Sequence, residues 1–355
     1  MRRMTLFTSA VVVAVVLVSA TAGYRVLRGR TTAGNPTGEL VFSRQAEVNK
    51  VTSEDGIVSL AVFPEDLYVV GVDGSNRRLL ARNAGDAAVS PDGSRIAFTR
   101  DGAVWIMQRD GSRGTRLVRA ASEPAWSPDG KTIYFSRWVE ADLGSSLFSI
   151  RDDGTHLVRL TRAKGEEDAD PNRPHGCWQY HQEPAPSPDG RSVAFTEDPN
   201  ACDGLRYVRV VSPEGHPLQV PFRLLSATTR MFTANHAAAW SPDGRQLAYS
   251  GWDDPNEAAG LYVSRSDRSP TRRIAVGDNP AWSPDGEWIA FAASRPSGRY
   301  PPNSGIWLVR ADGTDQHTVT RPAPCADFSA DTPAPPTRCT SYSDPAWLPV
   351  LDRQS

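Results

Sequence analysis

The sequence has no excess of charge of either sign: 39 basic residues stand against 41 acidic ones, a formal net charge of -2. A general nucleic-acid binder carries a strong basic bias, so that class is excluded. Cysteine is scarce, with four in 355 residues, and no two stand in a C-x-x-C pair. That removes the spacing of a zinc ribbon or a thioredoxin-like redox motif. No G-x-S-x-G elbow, H-E-x-x-H pair or P-loop occurs, and no nucleophile stands beside a candidate base. No catalytic residue and no metal ligand set is therefore assigned.

What is present describes a globular, turn-rich chain: 39% hydrophobic, 23% charged, with 28 glycines and 29 prolines spread along it. The N-terminus combines Arg2 and Arg3 with an uncharged Val/Ala-rich run, Leu6 to Ala22, that ends in Ala20-Thr21-Ala22. This is the pattern of an export signal over residues 1–24. The run is at the short edge of what crosses a bilayer, and Arg25, Arg28 and Arg30 follow it. Two outcomes stay open, a cleaved signal peptide and a retained single-span membrane anchor. No cysteine follows the run for lipid attachment. Either way the remainder is expected outside the cytoplasm, where Cys177, Cys202, Cys325 and Cys339 suit disulfides.

The informative feature is repetition. Ser-Pro-Asp-Gly returns at Ser90–Gly93, Ser127–Gly130, Ser187–Gly190, Ser241–Gly244 and Ser283–Gly286. Each copy is good turn chemistry, and each is embedded in a longer unit. One such unit is EPAWSPDGKTIYFSR followed by SLFSIRDDGTHLVRLT; another is NPAWSPDGEWIAFAAS followed by GIWLVRADGTDQHTVT. Every unit offers four short strands separated by turn signals, the signature of a propeller blade. The first unit begins at Glu39 without a first strand, and DPAWLP, from Asp344, is a first strand with nothing after it. Pairing the two would remove both open edges. The expected fold is thus all-β: a six-bladed β-propeller with four antiparallel strands per blade, closed by a C-terminal strand that completes blade one. The expected limits are a linker at 25–38, then blades at 39–82, 83–121, 122–182, 183–235, 236–277 and 278–320. A disulfide loop at 321–343 and a closing strand at 344–350 finish the 39–350 propeller. Trp126, Trp240, Trp282 and Trp347 share one column, which Val89 and Pro186 fill elsewhere, and are read as packing between blades.

These segments resemble the TolB-like propeller family, whose repeats carry xPAWSPDGxxIAF and IWxxxxDG, here Ile306-Trp307 through Asp312-Gly313. The resemblance covers about residues 39 to 350. It implies a propeller that holds partners on an end face or in a central channel. The Tol-Pal members of that family carry an α/β domain before the propeller, whereas residues 25–38 offer only a linker, so the resemblance implies a stand-alone relative.

Two groups of candidate site residues emerge. Three positions before the tryptophan column stand Asp86, Glu123, Glu183, Ala237, Asn279 and Asp344. If the first strand of each blade is innermost, four carboxylates and an amide ring the channel mouth. Gathered acids repel unless a cation answers them, so calcium or a basic partner segment is one reading. Capping of backbone amides within each blade is the other. The second group lies in and around the insertion Arg162–Gln182: His175, Trp178, Tyr180 and His181, with His236 on the same face. The longer insertions map to one face, a pattern that marks a binding side. Cys177 with Cys202, and Cys325 with Cys339, are the expected disulfides. The expectation is an exported, monomeric, non-enzymatic scaffold for an envelope protein or peptide. The alternative is a metal-assisted lyase or hydrolase of extracellular glycans that uses the three histidines.

Overall fold

The computed structural model describes residues 36–45, 48–52, 58–62, 65–164, 178–199, 206–219, 236–251, 259–267, 269–294, 304–320 and 341–349. The N-terminal segment, His175 and all four cysteines lie outside them. Among the described residues no helix is long and apolar enough to cross a membrane. Their architecture is all-β, with antiparallel sheets and, among these described residues, a single helical turn, Glu140–Asp142.

The second sheet shows the unit. Strands Gly85–Val89, Arg95–Arg100, Ala103–Gln108 and Thr115–Arg119 pair in chain order. The Ser-Pro-Asp-Gly turn joins the first two for reasons written in its residues. Gly93 sits at φ 71°, open to glycine at little cost, and its amide bonds to the Ser90 carbonyl at 2.8 Å. The Ser90 hydroxyl donates to Asp92 at 2.6 Å and accepts the Arg95 amide at 2.9 Å. Ser127, Ser187, Ser241 and Ser283 repeat the same pair of bonds.

The remaining sheets follow the same order, with two departures. The first contains Glu39–Gln45, Asp66–Gly71 and Arg78–Ala81, and its missing strand is supplied by Ser341–Leu348, antiparallel to Glu39–Gln45. A two-stranded hairpin, Val48–Thr52 with Val58–Val62, interrupts that sheet and has no counterpart in the sequence reading. The third and fourth sets are joined because Gly144 and Ser145 pair parallel with Gln179 and Tyr180.

The hydrophobic core is divided into clusters between consecutive sheets. Ala97 and Val104 of the second sheet meet Trp126, Ile133 and Phe135 of the third, and the pattern repeats onward. One cluster joins the last sheet to the first, with Ala290, Ile306 and Leu308 against Leu40, Phe42 and Val70 around Trp347. Each tryptophan of the column also donates a hydrogen bond to the preceding sheet. Trp126 bonds to the Ala88 carbonyl at 3.1 Å, Trp240 to Ala185 at 2.9 Å, Trp282 to Ala239 at 3.1 Å and Trp347 to Ala281 at 2.9 Å. A large ring thereby buries area while its one polar atom is satisfied.

Candidate functional site: an acid-lined cavity

The first strand of each sheet contains a β-bulge at the residue three before the tryptophan column. The pairing register shifts between Gly85 and Ala88, Ser122 and Ala125, Gln182 and Ala185, His236 and Ala239, and Asp278 and Ala281. Within each shift one residue is left-handed: Asp86 at φ 48°, Glu123 at 53°, Glu183 at 54°, Ala237 at 50° and Asn279 at 52°; Asp344 completes the set at 50°. Such a backbone is uncommon for residues other than glycine, asparagine and aspartate. Its recurrence at one equivalent position marks a built feature rather than a local accident.

These six residues, with the residue after each, line one cavity of about 200 Å³. Among the described residues no basic side chain lines it. Around the cavity the acids are linked from sheet to sheet. Glu123 accepts the Ser136 hydroxyl at 2.7 Å and the amide of Glu183 at 2.9 Å. Glu183 in turn accepts the Thr196 hydroxyl at 2.6 Å and the amide of Ala237 at 2.7 Å. Where Ala237 has no carboxylate to offer, the Ser250 hydroxyl accepts the Asn279 amide at 3.1 Å. The Asn279 side chain then donates to Asp344. Of the two readings, capping takes a different form from the one within each blade: the carboxylates of Glu123 and Glu183 cap the backbone of the next sheet.

Gathering acids here has an electrostatic consequence. Burial pushes the Glu123 carboxyl up to about 7, and the charges of Glu183 and Asp86 add to it. Burial also raises Asp86, against hydrogen bonds from Thr99 and the Glu123 amide. Asp344 stands well above the carboxylate range through burial, then Asp86 and Glu65. Glu65, which the sequence did not single out, is raised by burial and by Asp86. A Cβ on Gly85 would lie 2.8 Å from its Oε2.

The hydroxyl partners were also missed, although a signal exists. Thr99, Ser136, Thr196 and Ser250 each stand nine residues after the serine of the turn, directly after a phenylalanine or tyrosine. In the strands Ser136, Thr196 and Ser250 are buried. Position and burial together give them the task of holding the rim.

The second candidate group is not brought together in the same way. Tyr180 and His181 lie on the strand Gln179–Pro186 rather than on a loop. His181 is buried, its Nδ1 2.8 Å from the Thr161 hydroxyl and its ring edge-on to Phe195. His181, with Nε2 3.7 Å away, and Arg209, at 2.6 Å, hold the Glu197 carboxyl down at about 2. A surface-ligand role for His181 is therefore corrected to a packed, structural one. Trp178 and Tyr180 each meet Trp138, at ring distances of 5.3 and 6.1 Å. His175 lies outside the described residues, and His236 is placed only as a strand residue. Among the described residues no three His, Cys, Asp or Glu side chains group closely enough to hold a metal ion.

No protein-family model matches the chain, and no curated protein matches it. Solved structures do. TolB from Acinetobacter baumannii is similar over 88% of this chain and 67% of that one, at 15% identity and a TM-score of 0.61. The putative TolB from Agrobacterium tumefaciens is similar over 89% of this chain and all of that one (100%), at 15% identity and a TM-score of 0.55. Hydrazine synthase from Kuenenia stuttgartiensis is similar over 88% of this chain but only 47% of its own length, at 11% identity and a TM-score of 0.59. At these identities the likeness speaks to architecture. The fold of this chain is that of the TolB-like β-propellers.

Proposed function

We propose that the chain is an exported, non-enzymatic, six-bladed propeller that holds a basic segment of an envelope protein or peptide at its acid-lined mouth. The observation that carries the reading is the convergence of Asp86, Glu123, Glu183 and Asp344 on one cavity with no basic side chain in its wall among the described residues. A lysine or arginine side chain entering there would relieve the mutual repulsion that raises these carboxyls. Six blades closed by the C-terminal strand are supported by two features. The strand Ser341–Leu348 pairs with Glu39–Gln45, and the Trp347 indole bonds to the Ala281 carbonyl of the sheet before it. Calcium at the mouth would compete with such a segment for the same charge.

A photo-crosslinking residue in place of Ala237 tests this directly, since that position faces the mouth without supplying charge. Crosslinks from native envelope should map to a lysine- or arginine-rich segment, weaken in calcium and fall about tenfold in Glu123→Gln/Glu183→Gln. Crosslinks to a neutral or acidic segment, or no loss in the double variant, would overturn the reading.

A further inference from the structure

The acids of the mouth are gathered without a counter-charge. Among the described residues none of Glu65, Asp86, Glu123 and Asp344 forms an ion pair. Basic residues do adjoin the rim in sequence, since Arg44, Arg100 and Arg137 directly follow Ser43, Thr99 and Ser136. Successive side chains of a strand point to opposite faces, so these guanidinium groups turn away from the face that carries the rim hydroxyls. Arg44 lies over Tyr68 at 5.5 Å, Arg100 over Phe98 at 5.0 Å and Arg137 over Phe148 at 5.7 Å. In the fourth sheet His181 is engaged by Thr161 and Glu197. In the sixth, Asp278 accepts the Asn279 amide at 2.7 Å. In the fifth, His236 directly precedes Ala237.

Two polar atoms among these acids stay open. Glu123 accepts the Ser136 hydroxyl at 2.7 Å and the Glu183 amide at 2.9 Å, and both bonds end on its Oε2. Its Oε1 takes no hydrogen bond among the described residues. The other atom is the Ser43 Oγ. Ser43 pairs with Ser343, the residue before Asp344, as Ser136 pairs with Ser122, the residue before Glu123. Ser43 is fully buried, and its hydroxyl makes no well-formed hydrogen bond. A Cβ on Gly85, the residue before Asp86, would lie 3.6 Å from that Oγ and 2.8 Å from Glu65 Oε2. Buried polar groups are normally satisfied. An orphaned hydroxyl among carboxyls without a counter-charge marks a place whose partner the chain itself does not supply.

We infer that the mouth exchanges protons for the positive charge of its ligand, with Glu123 Oε1 as the acceptor that the exchange opens. The inference deepens the proposed binding of a basic segment and rests on it. As a lysine or arginine side chain enters, the O–H bond of a mouth carboxylic acid breaks and the proton passes to solvent. The carboxylate left behind accepts an N–H of the ligand, so one positive charge replaces another. The protonation of these carboxyls supports the exchange: burial and neighbouring acids push Glu123 up to about 7 and raise Asp86, Asp344 and Glu65 as well. The acids act on one another, so the protons released belong to the set rather than to a single residue. Binding is therefore weak where the set is protonated and tightens as pH rises, up to about tenfold per pH unit for each proton released.

The test is titration calorimetry of the full chain with the peptide acetyl-Gly-Lys-Gly-Lys-Gly-amide. Runs in two buffers of different ionisation enthalpy count the protons released, and runs at about pH 5.5 and 6.5 give the affinity. Release of about one proton is expected, with affinity rising roughly fivefold or more between the two pH values. Glu123→Gln keeps an oxygen for the Ser136 and Glu183 bonds; it should still bind the peptide, release fewer than half as many protons and show a flatter pH dependence. Asp86→Asn gives the same readout should Glu123→Gln fail to fold. His236→Gln should release as many protons as the unaltered chain. Equal affinity at both pH values with no proton exchanged would overturn the proposal and leave the basic-segment reading standing. Undiminished release in the Glu123 and Asp86 variants, or its loss in His236→Gln, would do the same. A peptide that binds at neither pH overturns both readings.

Discussion

Glu123 and Glu183 are joined by a hydrogen bond of 2.9 Å, from the amide of one to the carboxylate of the other, across two sheets. The two residues hold the same place in successive repeats, and both have a left-handed backbone. A position that looks like a ligand site in sequence is therefore also part of the fastening between sheets. The proposed binding and the stability draw on the same carboxylates, which shapes what each substitution should do.

The rim should make stability fall as pH rises. Glu123 is raised from 4.5 to about 7, so between those values the folded chain holds a proton that the unfolded chain has released. Stability then declines with pH across that window and levels off above it. Asp86, Asp344 and Glu65 are raised as well and act in the same direction. Glu123→Gln should flatten the decline by about 1–3 kcal/mol, as read from urea midpoints between pH 4.5 and 7. An unchanged slope would refute the assignment.

Glu197 should show the opposite dependence. Its carboxyl is held at about 2 by His181 and Arg209. The stabilisation is complete above the ordinary value of 4.5 and is lost as pH falls through the folded value. In Glu197→Gln, acid unfolding should be less steep between pH 4.5 and 2, while the neutral-pH midpoint drops by roughly 1–2 kcal/mol. Circular dichroism during an acid titration measures both.

Trp347 fastens the C-terminal strand. Trp347→Ala removes a buried ring and its bond to Ala281 and should cost about 3–5 kcal/mol. Trp347→Phe keeps most of the packing and leaves the Ala281 carbonyl without the indole, which should cost about 1–2 kcal/mol. Equilibrium denaturation of both variants, with exchange at Glu39–Gln45 as a local readout, separates packing from hydrogen bonding.

Gly144 is required by close approach rather than by a turn. A Cβ there would lie 2.5 Å from the Gln179 carbonyl and 2.9 Å from the Ala163 Cβ. Gly144→Ala should therefore open the parallel pairing between the third and fourth sets, destabilising by about 1–3 kcal/mol. Faster exchange at Gln179 and Tyr180, with the second sheet unaffected, is the expected pattern.

The cysteines are expected to pair as Cys177–Cys202 and Cys325–Cys339. Intact mass before and after reduction, then peptide mapping, checks the pairing. Losing the bond that closes residues 325–339 should cost roughly 3 kcal/mol if chain entropy dominates.

The repeat was legible because its turn chemistry is local. Ser, Pro, Asp and Gly act within a few residues, so five copies could be counted, and DPAWLP could be matched to the unit that begins at Glu39 without a first strand. The tryptophan column was legible as packing because a ring that size must be covered by something. The hairpin at Val48–Thr52 and Val58–Val62 was not, since alternation over five residues does not say whether a strand joins its sheet or leaves it.

By itself, then, the sequence determined the unit, its repetition and the complementary fragments at the two ends, all carried by neighbours along the chain. Tertiary structure decided what only spatial neighbours can. Asp344 is raised first by its own burial and then by the charge of Asp86, far away in sequence. Glu123 caps a backbone amide sixty residues away. His181, read from its neighbours as a surface ligand, is enclosed by Thr161 and Phe195. In each case the controlling quantity is desolvation or a hydrogen bond between sheets. Neither is written in the residues adjacent to the one it governs.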